Sequence, residues 1–320
     1  MDDVIKARLS DLLNRMTYNF DAVKTDKKPA LHKIIPNGQE PRFDFAAVDG
    51  SFLPLITLDM ATIYMIRLAE VRFFNHVLTD ESTERSFLIS EGDLLDTDND
   101  VSKIYKLSAL KKHQLENLME YLEKSKALEM ASKITSPCII LIDGSLYYQK
   151  KSDYLLEITK EFLKFPNISF VAVSKSSLVS TLSNLTDEAF LQRCFPKETG
   201  YVEINSEWKL GKTIFAKFSP LGKFFRIDII MNKNSIQDIL GAITCDDPLM
   251  AGYPDLLIEA HRNAKIVRDL KLYYDQIMME IVSKIDQNTP QFSLSSDEGD
   301  RILTYHDLLD KITKPTKIRM

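Results

Sequence analysis

The chain has 320 residues, of which 44% are hydrophobic and 27% charged, and its formal net charge at pH 7 is −5. This length can bury a sizeable core in one large or two ordinary domains, and the negative charge argues against a protein that binds DNA or anionic membranes through a bulk basic field. No apolar run approaches the ~20 residues of a membrane span, and the acidic amino terminus is not a signal peptide. We therefore expect a soluble, cytoplasmic protein with no membrane partner, whose 3 cysteines are reduced and mostly buried.

Hydrophobic spacing predicts the first elements of the chain. Apolar residues at helical intervals indicate an amphipathic helix over residues 4–23. A polar connection then leads to an apolar strand at 43–48, which is halted by Asp49 and the glycine after it. Residues 61–74 are rich in Ile, Tyr, Val and Phe, which favours a strand or a hairpin pair, with a buried helix as the alternative.

From residue 90 onward, loops, helices and strands alternate. The acidic segment 90–100 is interpreted as a solvated surface loop, because it lacks the glycine and the terminal glutamate of a calcium loop. Helices are predicted at 108–133, 153–165, 177–185, 235–243 and 253–285, the last entered through Pro254. Strands are predicted at 138–142, 168–174, 201–204, 213–218 and 224–231. This order predicts an α/β fold: a ribonuclease H-like mixed β-sheet flanked by helices, with an amino-terminal helix and long carboxy-terminal helices.

The triplet Asp-Gly-Ser follows an apolar run twice, beginning at Asp49 and at Asp143. Strands that end in Asp bring carboxylates to the carboxyl edge of a sheet, where open α/β sheets place their sites, and Gly lets the backbone turn. If the two strands are neighbours, the two negative charges are unfavourable unless a divalent cation lies between them. Mg²⁺ and Mn²⁺ suit such oxygen ligands and serve in phosphodiester hydrolysis. The alternative is that each triplet is only a turn.

A second group of candidate residues lies in the segment GYPDLLIEAHRNAKIV at 252–267. His261 follows Tyr253 by eight residues, about two helical turns, so both side chains fall on a similar face. A histidine here can bind a metal or transfer a proton, and a tyrosine hydroxyl can orient a phosphate. The alternative for His261 is a helix histidine with its hydrogen bonds satisfied.

The order of VDGS (48–51), IDGSL (142–146), VSKSS (173–177) and YPDLLIEAHRNAKI (253–266) resembles the NurA family of nucleases. The resemblance implies a ribonuclease H-like core that degrades DNA with Mn²⁺, or alternatively Mg²⁺, as a 5′→3′ exonuclease and single-strand endonuclease. It further implies a homodimer that docks onto a HerA-type hexameric ATPase in DNA end resection. On this basis we expect an amino-terminal helical extension at 1–42, a NurA-like nuclease domain at 43–287, and a carboxy-terminal tail with a short helix at 288–320.

The resemblance also implies roles for single residues. Asp49 and Asp143 are the expected central metal ligands. His261 is expected to ligate a second metal or to lie beside it. Tyr253 is expected to contact a phosphate or to position water, which makes all four residues candidate catalytic groups.

Further site residues are less sharply defined by the family pattern. An acidic residue that precedes the second triplet is expected at Glu129, the glutamate nearest the strand, with Glu123 as the second choice. Lys175 is expected to bind a backbone phosphate. Arg262 can contact DNA or pair with a glutamate three residues earlier. Asp228 is a candidate for the site, because relatives often carry an acidic residue on that strand.

Three other functions compete with a DNA nuclease. A catalytically inactive subunit with the same fold can bind DNA or an ATPase. An unrelated metal-dependent phosphoesterase can act on a small molecule. A structural subunit can use both triplets only as turns, in which case replacing both aspartates changes nothing but stability.

Overall fold

The structure of the protein is a computed structural model. It describes residues 8, 28–36, 43–58, 61–74, 77–78, 84–90, 112–147, 153–177, 179–183, 185–204, 208–230, 233–246, 249–250, 252–266, 271–277, 294–295 and 302–303. Apart from a helical residue 8, the predicted helix at 4–23 lies outside these residues, as does the acidic segment beyond residue 90. None of the described helices is both long and apolar enough to cross a membrane.

The described elements begin with four strands, after which helices are interspersed among the later strands. The strands are β1 (Asp44–Leu58), β2 (Ala61–Phe74), β3 (Val77–Leu78), β4 (Glu84–Ser90), β5 (Cys138–Asp143), β6 (Ile168–Ser174), β7 (Gly200–Ile204), β8 (Gly211–Lys217), β9 (Phe225–Ile230), β10 (Leu249–Met250), β11 (Tyr253–Pro254), β12 (Leu294–Ser295) and β13 (Ile302–Leu303). The helices are α1 (Lys112–Lys133), α2 (Asp153–Glu161), a 3₁₀ turn (Phe162–Lys164), α3 (Asp187–Cys194), α4 (Ile236–Asp246) and α5 (Asp255–Ala264). In one part of the mixed sheet the strands follow the order β3-β2-β1-β5, with β4 paired to β2, and in another part they follow the order β6-β9-β8-β7.

One compact unit, the β1–β5 unit, contains residues 44–142, 150–168 and the chain from 256 onward. In it, β1 and β2 form a long antiparallel pair, which confirms the strand predicted at 61–74 over the buried helix. Strand β1 also pairs in parallel with β5. Helix α1 packs against β1 and β2, and its side chains at Leu118, Ala127 and Met130 are fully buried. Their burial supplies the apolar contact that holds the helix on the sheet.

The second compact unit, the β6–β9 unit, contains residues 1–43, 143–149 and 169–255. Strands β6, β9, β8 and β7 lie side by side in it as antiparallel pairs. Every residue of β6 and β9 is buried, which explains why β6 is mostly apolar and why β9 is apolar apart from Arg226 and Asp228. Helix α3 contributes to an apolar cluster with β7, β8 and their neighbours: Phe190, Leu191, Phe195, Val202, Ile204, Phe215 and Phe224.

The first predicted strand is longer than its sequence pattern indicates. Strand β1 does not stop at Asp49 but continues to Leu58. The reason is that β2 offers a partner at every step through the triplet, with Asp49 opposite Ala69 and Ser51 opposite Arg67. The turn that Asp-Gly predicts does not form here, because the neighbouring strand β2 pairs with the backbone of β1.

The helix predicted at 177–185 is wrong, since the described positions in that range are not helical. Short polar side chains there bind the local backbone instead: Ser177 Oγ accepts from the Val179 amide at 3.3 Å, and Ser183 Oγ accepts from the Leu185 amide at 3.0 Å. The helix begins only at Asp187, after Thr186 caps its amino terminus.

The single long helix predicted at 253–285 is also wrong. Tyr253 and Pro254 form strand β11, which pairs with β10, so Pro254 is not the first helical residue. Helix α5 ends at Ala264. Residues 265–266 are not helical, and helix resumes at 271–277. Because α5 is short, His261 lies in its last turn rather than in the middle of a long helix.

Candidate metal centre

The first Asp-Gly-Ser triplet lies within β1 and meets helix α5. Asp49 is buried, with 2% of its surface exposed, and its Oδ2 lies 2.7 Å from Nδ1 of His261. The Gly50 amide donates to the other carboxylate oxygen, Oδ1, at 2.8 Å. The His261 side chain is 51% exposed, so its ring links a buried carboxylate to solvent. The structure thus brings together two candidate residues that are 212 positions apart in sequence.

The serine of the first triplet anchors the helix that carries His261. Ser51 Oγ donates to the carbonyl of Ala264, the last residue of α5, and Arg67 Nη1 donates to the Lys265 carbonyl at 3.3 Å. Carbonyls at the carboxyl end of a helix have no partner within the helix, so these side chains satisfy groups that otherwise need water. They fix the end of α5 against β1 and β2, next to the histidine.

The glycine of the first triplet allows helix α1 to approach β1 closely. Gly50 is not among the glycines with positive φ, so it makes no turn. A Cβ at this position would overlap Met119 Sδ and would lie 3.0 Å from both Glu123 Oε1 and Leu68 Cδ2. Glu123 is itself buried, with 6% exposure. Close packing at Gly50 therefore holds a second carboxylate beside the triplet.

Gly50→Ala is expected to lower the free energy of unfolding by about 1–3 kcal/mol, because the added methyl overpacks the contact with α1. Thermal unfolding followed by circular dichroism measures this change. In a Met119→Ala background the same substitution is expected to cost less, because the Sδ atom that it meets is gone. An equal cost in both backgrounds would contradict the packing explanation.

The second triplet does make the turn that its sequence predicts. Asp143 is the last residue of β5, and Gly144 has φ of 97°, a left-handed conformation that glycine adopts without a Cβ clash. Asp143 Oδ1 accepts a hydrogen bond from the Tyr253 hydroxyl at 3.1 Å, and Oδ2 pairs with Lys175 Nζ at 2.7 Å. The same Nζ lies 5.7 Å from the centre of the Tyr253 ring. Two other candidate residues, Tyr253 and Lys175, therefore contact the Asp143 carboxylate.

The parallel register of β1 and β5 aligns the two triplets. Val48 is opposite Ile142, so the next residue along each strand is an aspartate, Asp49 in β1 and Asp143 in β5. Asp49, Asp143 and His261 form, among the described residues, a set that offers ligand atoms for a metal ion. Two carboxylates and an imidazole are groups that can hold a divalent metal ion.

A family comparison identifies the chain. The model of the NurA domain matches residues 43–266, which is more than half of the sequence. This chain belongs to the NurA family of nucleases. No curated protein matches the sequence.

Two crystal structures of NurA proteins share the fold of this chain. The NurA nuclease from Sulfolobus solfataricus superposes with a TM-score of 0.59 at 15% identity, over 90% of this chain and 98% of that one. A second NurA crystal structure superposes with a TM-score of 0.56 at 13% identity, over 90% of this chain and 99% of that one. The predicted ribonuclease H-like mixed sheet flanked by helices is thus confirmed, whereas the domain boundaries predicted at residues 42 and 287 stay a prediction.

The structure separates the two glutamates that the NurA pattern left open. Glu129 pairs with Lys133 Nζ at 2.7 Å and with Lys126 Nζ at 3.5 Å along α1. Glu123 instead lies beside Gly50, on a different face of the helix, because six residues correspond to a rotation of about 240°. Glu129 was the first choice for the acidic site residue because it is nearer in sequence to the second triplet. The rotation of the helix, however, brings Glu123 next to β1.

Two further candidates have partners within the protein. Arg262 is 63% exposed and pairs with Glu259 Oε2 at 3.0 Å, the intrahelical alternative that the sequence allowed. Asp228 is 1% exposed on β9 and accepts hydrogen bonds at both carboxylate oxygens. It does not belong to the set that offers ligand atoms for a metal.

Burial shifts the pKa of several groups away from the two triplets. It raises the pKa of Glu188, an effect that the nearby Lys223 opposes. It lowers the pKa of Lys217, whose Nζ donates to the Pro196 carbonyl at 2.6 Å. Burial also raises the pKa of the Cys138 thiol, so this cysteine is a poor nucleophile, as expected of a buried structural thiol.

Proposed function

We propose that this NurA-family protein is a divalent-metal-dependent DNA nuclease. The observation that carries the proposal is the alignment of the two triplets at neighbouring strand positions, with His261 at 2.7 Å from Asp49. Asp49, Asp143 and His261 would hold the metal, and Glu123 would complete the acidic set. When bound, such an ion lowers the pKa of a water and balances the negative charge that develops on a phosphodiester under attack.

The protein groups around these ligands would orient the substrate. Tyr253 donates to Asp143 through its hydroxyl, and in this proposal it would contact a phosphate oxygen or a water beside that carboxylate. Lys175 pairs with Asp143 on an exposed side, and a backbone phosphate would compete for the same cation. Arg262 would contact DNA after giving up its surface ion pair, which costs little because exposed pairs contribute only about 0–1 kcal/mol.

Cation binding would also let an acidic protein bind an acidic polymer. The chain carries a formal net charge of −5, so attraction for DNA must come from local cations and bound metal. No motif that recognises bases is present in the sequence, and contacts to phosphates carry no sequence information. We therefore expect cleavage with little sequence preference.

The finer features of the proposal rest on resemblance to the NurA family. They are 5′→3′ exonuclease and single-strand endonuclease activity, a preference for Mn²⁺ over Mg²⁺, a homodimer, and DNA end resection with a HerA-type hexameric ATPase in the cytoplasm. Light scattering tests the homodimer, which a monomer at micromolar concentration would contradict.

Incubation of the purified protein with end-labelled single-stranded DNA tests the proposed activity. Degradation is expected with Mn²⁺ and is expected to stop when a chelator removes the metal. If no metal supports degradation, the protein is instead an inactive subunit that binds DNA or an ATPase. If a nucleotide is cleaved but DNA is not, it is a phosphoesterase for small molecules.

A further inference from the structure

Asp228 is the centre of a buried hydrogen-bond network on β9. Its Oδ2 accepts from Ser145 Oγ at 2.6 Å and from the backbone amides of Leu146 and Tyr147, both at 3.0 Å. Its Oδ1 accepts from Thr213 Oγ1 at 2.8 Å. A buried carboxylate that accepts this many hydrogen bonds is costly to remove, because each donor would lose its partner.

Arg226 completes the network from the same strand. Its Nη2 and Nε donate to the two oxygens of Asp228 at 2.9 and 3.1 Å. Nη2 also lies 2.8 Å from the Tyr147 carbonyl, to which it donates. The Arg226 side chain is only 10% exposed, so the pair is formed away from bulk water and screening is weak. The guanidinium therefore holds both the carboxylate and the loop that the carboxylate binds.

The groups held by this network are the residues that directly follow Asp143. On the other side of the turn, the Gly144 amide donates to the Val173 carbonyl at 3.2 Å, and Ser174 Oγ donates to the Gly144 carbonyl at 2.5 Å. The chain from Gly144 to Tyr147 is thus bound to β6 and to β9 through both backbone and side-chain atoms. Its conformation sets the direction in which the end of β5 presents the Asp143 carboxylate.

We propose that Asp228 is a positioning residue for Asp143: it fixes the loop after β5, so that the Asp143 carboxylate stays aimed for metal binding. This role rests on the proposed function and deepens it. Asp228 acts through the loop, since its own oxygens are occupied by protein donors and it is 1% exposed. Residues that orient a metal ligand commonly change metal affinity by about 10–100-fold when they are replaced.

The chain offers a matched control for a substitution at Asp228. Asp187 is also fully buried in the β6–β9 unit, and it also accepts two consecutive backbone amides, those of Thr181 and Leu182 at 2.7 and 2.8 Å. It also accepts from a hydroxyl, Thr181 Oγ1, at 2.7 Å. Its loop does not contain a candidate metal ligand. Asp187→Asn therefore reproduces the loss of a buried loop-binding carboxylate without touching the Asp143 turn.

The test compares Mn²⁺ binding by the wild type, Asp228→Asn and Asp187→Asn, measured by isothermal titration on the full chain. Asp228→Asn is expected to weaken Mn²⁺ binding by about tenfold or more, whereas Asp187→Asn is expected to retain wild-type affinity. Hydrogen exchange of the 144–147 amides is expected to speed up in Asp228→Asn alone. Both variants are expected to unfold at a lower temperature than the wild type, which shows that loss of stability does not explain the difference in metal binding.

Each result has a distinct meaning. If the wild type binds Mn²⁺ and Asp228→Asn binds it equally well, the positioning role is overturned while the proposed nuclease stands. If both variants lose affinity alike, the effect is one of general stability, and the positioning role is again overturned. If the wild type binds no Mn²⁺, the proposed metal site and the role of Asp228 fall together.

Discussion

Asp143→Asn is expected to remove nearly all metal-dependent DNA cleavage while the protein stays folded. The Asp143 side chain is 21% exposed and lies at the end of a strand, so an amide of the same size fits without a cavity. It can still accept from the Tyr253 hydroxyl, but it loses the charge that attracts a divalent cation. We expect kcat/KM on single-stranded DNA to fall by about 10³-fold, equivalent to about 4 kcal/mol of transition-state stabilisation.

Asp49→Asn is expected to lose activity to a similar extent and stability as well. Asp49 is buried against His261, so its amide replacement changes a hydrogen bond that solvent cannot replace. Thermal unfolding separates the two effects, because the Asp143 variant should unfold near the wild-type temperature and the Asp49 variant below it. The comparison therefore distinguishes a lost ligand from a lost fold.

Asp238→Asn is the matched control for both substitutions. Asp238 is a carboxylate in the first turn of α4, where it accepts from Ser235 Oγ at 2.7 Å on an exposed surface. Its replacement is expected to leave cleavage of labelled DNA unchanged. Wild-type activity in the Asp143 variant would show that the second triplet is only a turn.

The strands were predictable from sequence because burial on both faces leaves a continuous apolar signal. Segments β5 and β6 are almost wholly buried, and their predicted bounds differ from the observed ones by at most one residue. The two identical triplets were harder to interpret. The second ends a strand, but the first continues as a strand, because the partner strand β2 lies beside it and no local signal reveals that partner.

Local polar chemistry explains the helix that was predicted but is not present. Residues 177–185 carry apolar residues at helical spacing, yet their serines and Asp187 bind the backbone amides of the loop. Short polar side chains compete with helical hydrogen bonds in this way. The composition of the segment, rich in Ser and Thr, was the signal that favoured a loop.

The sequence also contains a signal for the role of Asp228. It stands in the apolar strand FRIDII, and a carboxylate among buried residues needs donors to offset the cost of its burial. The arginine two positions earlier lies on the same face of the strand and supplies two of them. The donors from the 145–147 loop could not be predicted, because they come from a segment more than 80 residues away.

Glu123→Gln is expected to reduce DNA cleavage by about 10–100-fold, whereas Glu129→Gln is expected to leave it unchanged. Both glutamates lie on α1, and both substitutions replace a carboxylate with an amide of the same shape. Glu123 is buried beside Gly50. Glu129 contributes instead to ion pairs with Lys126 and Lys133, so its loss should cost only about 0.3–0.5 kcal/mol of stability.

The rise in unfolding temperature on adding Mn²⁺ gives a second readout for this pair that does not depend on catalysis. A ligand that binds only the folded state stabilises it more when it binds more tightly, by an amount that grows with the logarithm of its affinity, so the rise should shrink in Glu123→Gln and persist in Glu129→Gln. If the rise shrinks in Glu129→Gln and persists in Glu123→Gln, the metal lies near Glu129, which would then bind it in addition to pairing with Lys126 and Lys133. If the rise persists in both variants, α1 supplies no ligand, and Asp49, Asp143 and His261 hold the ion without it.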